Sequence, residues 1–114
     1  MSDKKLLELA AKAAGYKVRW HENWKCFVHD QANNITQPPS ASGDRHVWVP
    51  IDDDGDALRL AVTLNLTVSI CDEFTKVTHG FEEGIIEYVD GHKERAARMA
   101  IVRAAAEIGK NMAD

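Results

Sequence analysis

The chain has 114 residues, of which 45% are hydrophobic and 28% are charged, and its formal net charge is −4. This length suits one domain, residues 1–114, and this composition excludes a wholly disordered chain. The negative charge argues against a protein dedicated to nucleic acid, and no apolar run reaches the roughly 18 residues that predict a membrane span.

The charge is unevenly distributed along the chain. Residues 1–30 hold six basic and four acidic side chains, residues 31–90 hold three and eleven, and residues 91–114 hold five and three. An acidic middle therefore lies between two mildly basic ends. The pattern indicates either the ordinary charge scatter of a soluble protein or an acidic surface that meets a basic partner.

The first predicted element is a helix over about residues 3–14, where apolar side chains recur at helical spacing. Ser2 or Asp3 can cap its start, and Gly15 suits its end. The apolar period then changes to two over residues 16–21, which predicts a half-buried strand. Residues 24–29 are predicted to return as the second strand of a hairpin.

Residues 30–46 are polar and rich in turn-forming residues, so we expect a mobile loop there. The apolar run at residues 47–51 is expected to hold that loop against the core. A second helix is predicted over about residues 57–64. Leu58 belongs to its broad apolar side, and Asn65 can end it in the left-handed conformation.

Alternating residues predict further strands at 66–71 and 85–89, and part of 74–78 can pair with the latter. The last helix is predicted from about Asp90 to about Met112. Together these elements predict an α+β fold, in which a small antiparallel sheet carries three helices in the order α-β-β-α-β-β-α.

One internal similarity is visible, with a one-residue gap. It relates Leu7-x-Leu9-Ala10 and Gly15-Tyr16-x-Val18 to Leu58-x-Leu60-Ala61 and Asn65-Leu66-x-Val68. It suggests two helix–hairpin units followed by a final helix. Chance similarity between amphipathic helices that lead into strands explains it equally well.

The acidic run at residues 52–56 has the composition of a calcium loop but fails on register. With Gly55 at the sixth position of an EF-hand, the first and twelfth positions would be Pro50 and Ala61, whose side chains cannot coordinate calcium. Carboxylates at a helix N-terminus instead accept backbone N–H bonds and match the helix dipole. We therefore expect these residues to cap the second helix.

No other motif in the chain predicts a metal, a cofactor or a catalytic residue. Cys26 and His29 have ligand-like spacing, but they would point to opposite faces of a strand, and zinc needs four ligands. The N-terminus lacks a secretory apolar region, and Cys71 is the only other cysteine, so we expect reduced thiols in a cytosol. An enzyme with an unrecognised site is the least supported alternative.

The last helix carries a second apolar strip opposite its core stripe. The strip and its flanks comprise Arg95, Arg98, Met99, Val102, Arg103 and Ala106. An apolar centre with an arginine rim is typical of a protein interface, so these residues are a candidate surface for a host or phage protein, or for a second copy of the chain. A helix buried on both sides within its own fold is the alternative.

The first hairpin offers a basic strip that consists of Lys17, Arg19 and His21, with Lys25 near the turn. Together with the neighbouring tryptophans it could bind a phosphate backbone and stack on a base. The alternative, which we favour, is the solvated face of a half-buried sheet.

Two segments resemble stretches of known small proteins: DDGDALRLAV at residues 53–62 and AIVRAAAEIG at residues 100–109. They are broadly similar to phage and prophage proteins of the NinX-like group, and they cover under half of the chain. The resemblance implies a phage accessory protein that acts in the bacterial cytosol by binding a macromolecule, as small inhibitors of host or defence proteins do. It carries over no catalytic residues.

Overall fold

A computed structural model describes residues 2–29, 47–80 and 83–112 of the chain. The loop predicted at residues 30–46 lies outside the described residues. Among the helices that are described, none combines the length and the hydrophobicity needed to cross a membrane.

The fold belongs to the predicted α+β class. Its helices are α1 (Asp3–Ala14), α2 (Asp54–Thr63) and α3 (Lys93–Lys110). Its strands are β1 (Val18–His21), β2 (Cys26–His29), β3 (Val47–Trp48), β4 (Thr67–Ile70), β5 (Phe74–Thr78) and β6 (Ile85–Tyr88). The order is therefore α-β-β-β-α-β-β-β-α, with three strands in each unit where two were predicted.

The described strands form two antiparallel sheets, β1-β2-β3 and β4-β5-β6, and the prediction of one sheet was wrong. The two strands beyond the predicted order are β3 and β5, and the predicted pairing of part of 74–78 with the strand at 85–89 is confirmed by β5 and β6. β3 ends at Trp48 because Val49 N donates to the Asp56 carboxylate (2.9 Å) and Pro50 has no N–H for a ladder. It aligns Trp48 with Phe27, which in turn lies opposite Trp20, so three aromatic residues cross the first sheet in one row.

The helix ends follow local sequence signals. The Ser2 side chain accepts a hydrogen bond from Lys5 N (3.2 Å), which confirms the predicted cap of α1. α2 begins three residues earlier than predicted because the Asp53 carboxylate accepts a hydrogen bond from Asp56 N (2.8 Å). Asn65 ends α2 in the predicted left-handed conformation, at a φ of 55°.

The C-terminal ends of α1 and α2 are built alike. Tyr16 N donates to Ala11 O (3.0 Å), and 50 residues later Leu66 N donates to Ala61 O (2.9 Å). These bonds from beyond the helix back into its last turn are those of a Schellman motif. They relate the two helix ends at an offset of 50, at which Leu7, Leu9 and Ala10 correspond to Ala57, Arg59 and Leu60 and not to the residues that the sequence similarity matched with a gap.

Helix α3 occupies the centre of the molecule. It packs along α1 and also contacts α2 and all three strands of the second sheet. After the first turn of α3, the exposed residues are Arg103, Glu107 and Lys110, which are spaced about one helical turn apart and form a stripe. Small residues allow the close approach, since a side chain on Gly109 would meet the backbone of Leu9.

Candidate functional site

The apolar strip predicted on α3 is covered by the protein itself. Val102 is 0% exposed and Ala106 is 3% exposed, while Met99 is half-buried against the core. A partner cannot reach the first two residues in this fold. The structure agrees with the alternative of a helix buried on both sides within its own fold. α3 packs against α1 as well as against the second sheet.

The three arginines beside that strip contact residues outside α3. Arg98 Nη1 contacts Asp54 Oδ1 (2.6 Å), and its Nε donates to the Ile51 carbonyl oxygen (2.7 Å). Arg103 pairs with Glu87 of β6, and Arg95 lies 3.8 Å from an Asp52 carboxylate oxygen. Each of the three arginines therefore pairs with a carboxylate of the chain itself.

The basic strip predicted on the first hairpin divides into two parts. Lys17 and Arg19 line a groove beside α1. His21 instead stacks on Trp24, with ring centroids 4.1 Å apart, and its Nδ1 accepts a hydrogen bond from Trp24 N (3.1 Å). Lys25 lies in the turn and pairs with Glu22 (2.7 Å).

Cys26 and His29, which have ligand-like spacing in the sequence, lie on opposite faces of β2, as predicted. Within the described residues no group of three or more His, Cys, Asp or Glu side chains could hold a metal ion. His29 is buried against the rings of Tyr16 and Trp48, at centroid distances of 5.6 and 6.3 Å.

An apolar groove lies between α2, β4 and the first half of α3, and its volume is about 460 Å³. Its walls and floor are formed by Ala57, Leu58, Ala61, Val68, Ile70, Ala97 and Ile101. Leu58 is 63% exposed and Ile70 is 57% exposed, although both have large apolar side chains. Such residues, clustered around a groove, are typical of a binding surface.

The sequence analysis placed Leu58 on the core side of α2, and this was wrong. Leu60 is fully buried and Ala57 nearly so, whereas Leu58 and Val62 point away from the core. The breadth of the apolar arc on α2 was the sequence feature that indicated exposed apolar residues. A ten-residue helix packed against a small domain can bury only part of such an arc.

Within the described part of the chain, the charged side chains that line the groove are balanced, with two carboxylates (Asp54, Glu94) and two cations (Lys93, Arg98), whereas the segments next to them in sequence are acidic. The segments 52–54, 72–73 and 93–98 together hold six carboxylates (Asp52, Asp53, Asp54, Asp72, Glu73, Glu94) and three cations (Lys93, Arg95, Arg98). Lys93 and Arg98 are paired with carboxylates of the chain itself, Asp72 and Asp54. Five carboxylates of the acidic middle (Asp52, Asp53, Asp54, Asp72, Glu73) therefore lie in the lining or close to it in sequence.

One of these pairs changes the titration of both its members. Lys93 Nζ donates a hydrogen bond to Asp72 Oδ1 (2.7 Å). This hydrogen bond, with the charge attraction that accompanies it, lowers the pKa of the Asp72 carboxyl below its ordinary value. The same hydrogen bond raises the pKa of the Lys93 ammonium.

Replacing Lys93 with glutamine is expected to raise the pKa of Asp72 towards its ordinary value. Because the pKa of Asp72 is depressed in the folded chain, the pair stabilises the fold above the ordinary carboxyl pKa. That stabilisation is lost as the pH falls through the lower pKa of the folded state. Carboxyl-carbon NMR titration of the two proteins measures the change.

Glu22 provides an internal control for this titration. Its pKa is also lowered, mainly by the hydrogen bond from Lys25, and it should not respond to the change at Lys93. An Asp72 that titrates identically with lysine or glutamine at position 93 would show that the pair does not form in solution.

Comparisons of the chain with protein-family models, with curated proteins and with solved structures return no match. The interpretation of the grooves accordingly comes from their own chemistry.

Proposed function

We propose that the protein acts by binding another protein, and that the groove between α2, β4 and α3 receives an apolar segment of the partner that also carries basic residues. The observation that carries this proposal is the exposure of Leu58 and Ile70 on either side of a floor of small apolar residues. Protein binding is also the function that the sequence predicted. The proposed contact surface is now this groove and no longer the strip of Met99, Val102 and Ala106 on α3.

The open shape of the groove favours a protein segment over a small molecule. Sites for small molecules enclose most of the ligand surface, whereas here the two large wall residues are more than half exposed. An amphipathic helix places large side chains at every third or fourth position, so it can fill an open groove with one row of residues. The carboxylates of the flanking segments 52–53 and 72–73 favour lysine or arginine beside that row.

The resemblance to phage and prophage accessory proteins adds a context to this proposal. In that context the partner is a host or phage protein in the bacterial cytosol. Inhibition of a host or defence protein is the consequence that we expect from such binding.

A designed amphipathic peptide tests the groove directly. We expect a fluorescent Leu/Lys peptide of about 14 residues, with leucines at helical spacing, to bind saturably in an anisotropy titration. Replacing Leu58 with glutamate should weaken binding about 10- to 100-fold, since it removes a leucine-sized apolar contact and buries a charge. A peptide with glutamate in place of lysine should bind at least about tenfold more weakly.

Val62 offers a matched control on the same helix. It is 67% exposed and does not line the groove, so Val62→Glu adds the same charge to α2 without altering the site. We expect it to change the affinity for the peptide less than about twofold. Equal effects of the two variants, with both proteins folded by circular dichroism, would overturn the proposal.

Photocrosslinking in bacterial cells tests the proposal with natural partners. A photoreactive amino acid at position 58 should crosslink to a protein that the same group at position 62 does not reach. Crosslinks only to a second copy of the chain, with a dimer in sedimentation that Leu58→Glu dissociates, would reassign the groove to self-association.

A further inference from the structure

A second groove, of about 630 Å³, lies between α1, β1 and β2. Five residues that line this groove each have a counterpart 50 positions later that lines the apolar groove. The pairs are Lys4 and Asp54, Glu8 and Leu58, Ala11 and Ala61, Val18 and Val68, and Trp20 and Ile70. The offset is the same as that of the hydrogen bonds that end α1 and α2. The two grooves therefore occupy equivalent places in the two halves of the fold.

The chemistry of the second groove is different from that of the first. Four cations line it, Lys4, Lys12, Lys17 and Arg19, and among the lining residues that the structure describes Glu8 is the single carboxylate. A chain with a net charge of −4 thus concentrates a local excess of three positive charges in one groove. A concave surface lined by one sign of charge focuses the field, which favours an anionic ligand.

An aromatic side chain accompanies the cations. The Lys4 ammonium lies 4.7 Å from the centre of the Trp20 ring, and the edge of Trp20 packs against Phe27 with centroids 5.1 Å apart. Trp20 is half-buried, so part of its surface faces the groove. A flexible lysine that covers an aromatic ring can move onto a phosphate and leave the ring to a base.

We propose that this basic groove binds single-stranded nucleic acid, with the cations contacting phosphates and Trp20 contacting a base. A single strand is favoured over a duplex because a base must be unstacked to reach the indole ring. An acidic polypeptide could form ion pairs with the cations, but its carboxylates would not stack on the indole ring of Trp20. The net charge of the whole chain argued against nucleic acid in the sequence analysis, whereas the charge at the groove argues for it.

A salt series measures this proposal. We expect a fluorescent oligo(dT) of about 20 nucleotides to bind in an anisotropy titration at about 50 mM salt. With about four phosphate contacts on a single strand, the affinity should fall about 50-fold between about 50 and 200 mM salt. The Lys17→Gln/Arg19→Gln double variant should weaken binding at about 50 mM salt at least about tenfold, and should flatten the logarithmic slope by about 1.4. Lys4 and Lys12 are left intact because they also contact Trp20 and the Met112 carbonyl oxygen.

Lys25 is the matched control for this experiment. It lies on the same hairpin and pairs with Glu22, whose carboxylate also contacts Trp20, so Lys25→Gln removes one charge next to the groove and none from its lining. We expect this variant to bind oligo(dT) within about twofold of the wild type. A loss equal to that of the double variant would overturn the proposal, as would no binding of oligo(dT) at about 50 mM salt.

Two competitors distinguish the other anionic ligands. Polyglutamate of about 20 residues should not displace the oligonucleotide, and a duplex of the same length should bind more weakly than the single strand. Displacement by polyglutamate at equal charge would assign the groove to an acidic protein, and tighter duplex binding would also contradict the proposal. Leu58→Glu should leave oligonucleotide binding unchanged, so this inference can fail or succeed independently of the protein-binding groove.

Discussion

Replacing Gly109 with alanine is expected to lower the free energy of unfolding by about 2–3 kcal/mol, although alanine is the better helix former by about 1 kcal/mol. A Cβ on Gly109 would lie 2.0 Å from the carbonyl oxygen of Leu9 and 2.8 Å from its carbonyl carbon. Both atoms belong to the backbone of α1, so no side-chain rotation relieves the overlap. α1 and α3 would have to separate, which loosens the most extensive contact between helices in the fold.

Urea unfolding followed by circular dichroism measures this change, and Gly55→Ala is its matched control. Gly55 also lies in a helix, but a Cβ there would approach only side-chain atoms, the Arg59 guanidinium (3.5 Å) and the Asp53 carboxylate that caps α2 (3.2 Å). We expect that variant to stay within about 1 kcal/mol of the wild type, because the helix propensity of alanine opposes a small displacement of the cap. A stabilising Gly109→Ala would show that α1 and α3 do not cross this closely.

Replacing Asp56 with alanine is expected to lower the free energy of unfolding by about 2–3 kcal/mol. Asp56 is 2% exposed; its Oδ2 accepts a hydrogen bond from Val49 N (2.9 Å), and its Oδ1 accepts one from Arg59 Nη2 (2.6 Å). The substitution leaves a partly buried N–H and a guanidinium without their acceptor. Because the Arg59 side chain is 32% exposed, it can turn towards water, which keeps the loss below that of a fully buried ion pair.

Asp54→Ala provides the comparison for this variant in the same urea experiment. Asp54 lies two positions away, and its side chain is 75% exposed although it pairs with Arg98. Exposed ion pairs contribute little, so we expect a loss below about 1 kcal/mol. Equal losses at positions 54 and 56 would mean that charge at the helix N-terminus stabilises α2, and that the hydrogen bond to Val49 does not.

The two proposed grooves give the duplicated fold a functional interpretation. Each half provides a helix, a following strand and the space between them, and substitutions at equivalent positions set the ligand chemistry. Lys4 stands where the second half has Asp54, and Trp20 stands where it has Ile70. Under the two proposals, one scaffold would hold a nucleic acid strand on one side and a protein segment on the other.

Much of the fold followed from short-range signals. Ser2, Gly15 and Asn65 end or begin helices through hydrogen bonds and backbone conformations that span only a few residues. Strands with alternating side chains were also placed within one or two residues. The extra strands β3 and β5 were harder to predict, because a run of two to five residues becomes a strand only when a neighbouring strand supplies the ladder.

The sites were less predictable than the elements. Lys17 and Arg19 were identified as part of a basic strip, but Lys4 and Lys12 joined them only because α1 packs beside β1. The apolar groove brings Leu58 next to residues of α3 that lie about 40 positions further along the chain. Periodicity within one element cannot reveal such a contact.

By itself, the sequence determined the fold class, the three helices, the caps of the first two, and an acidic middle between basic ends, because these depend on neighbouring residues and on composition. Only the tertiary structure decided which apolar faces are covered. The helical period showed two apolar faces on the last helix and could not tell a partner from the chain's own α1. Val102 and Ala106 became core because α1 packs there, while Leu58 stayed exposed because no described element covers it. Burial is a property of the assembled elements, and it is burial that separates a core residue from a binding residue.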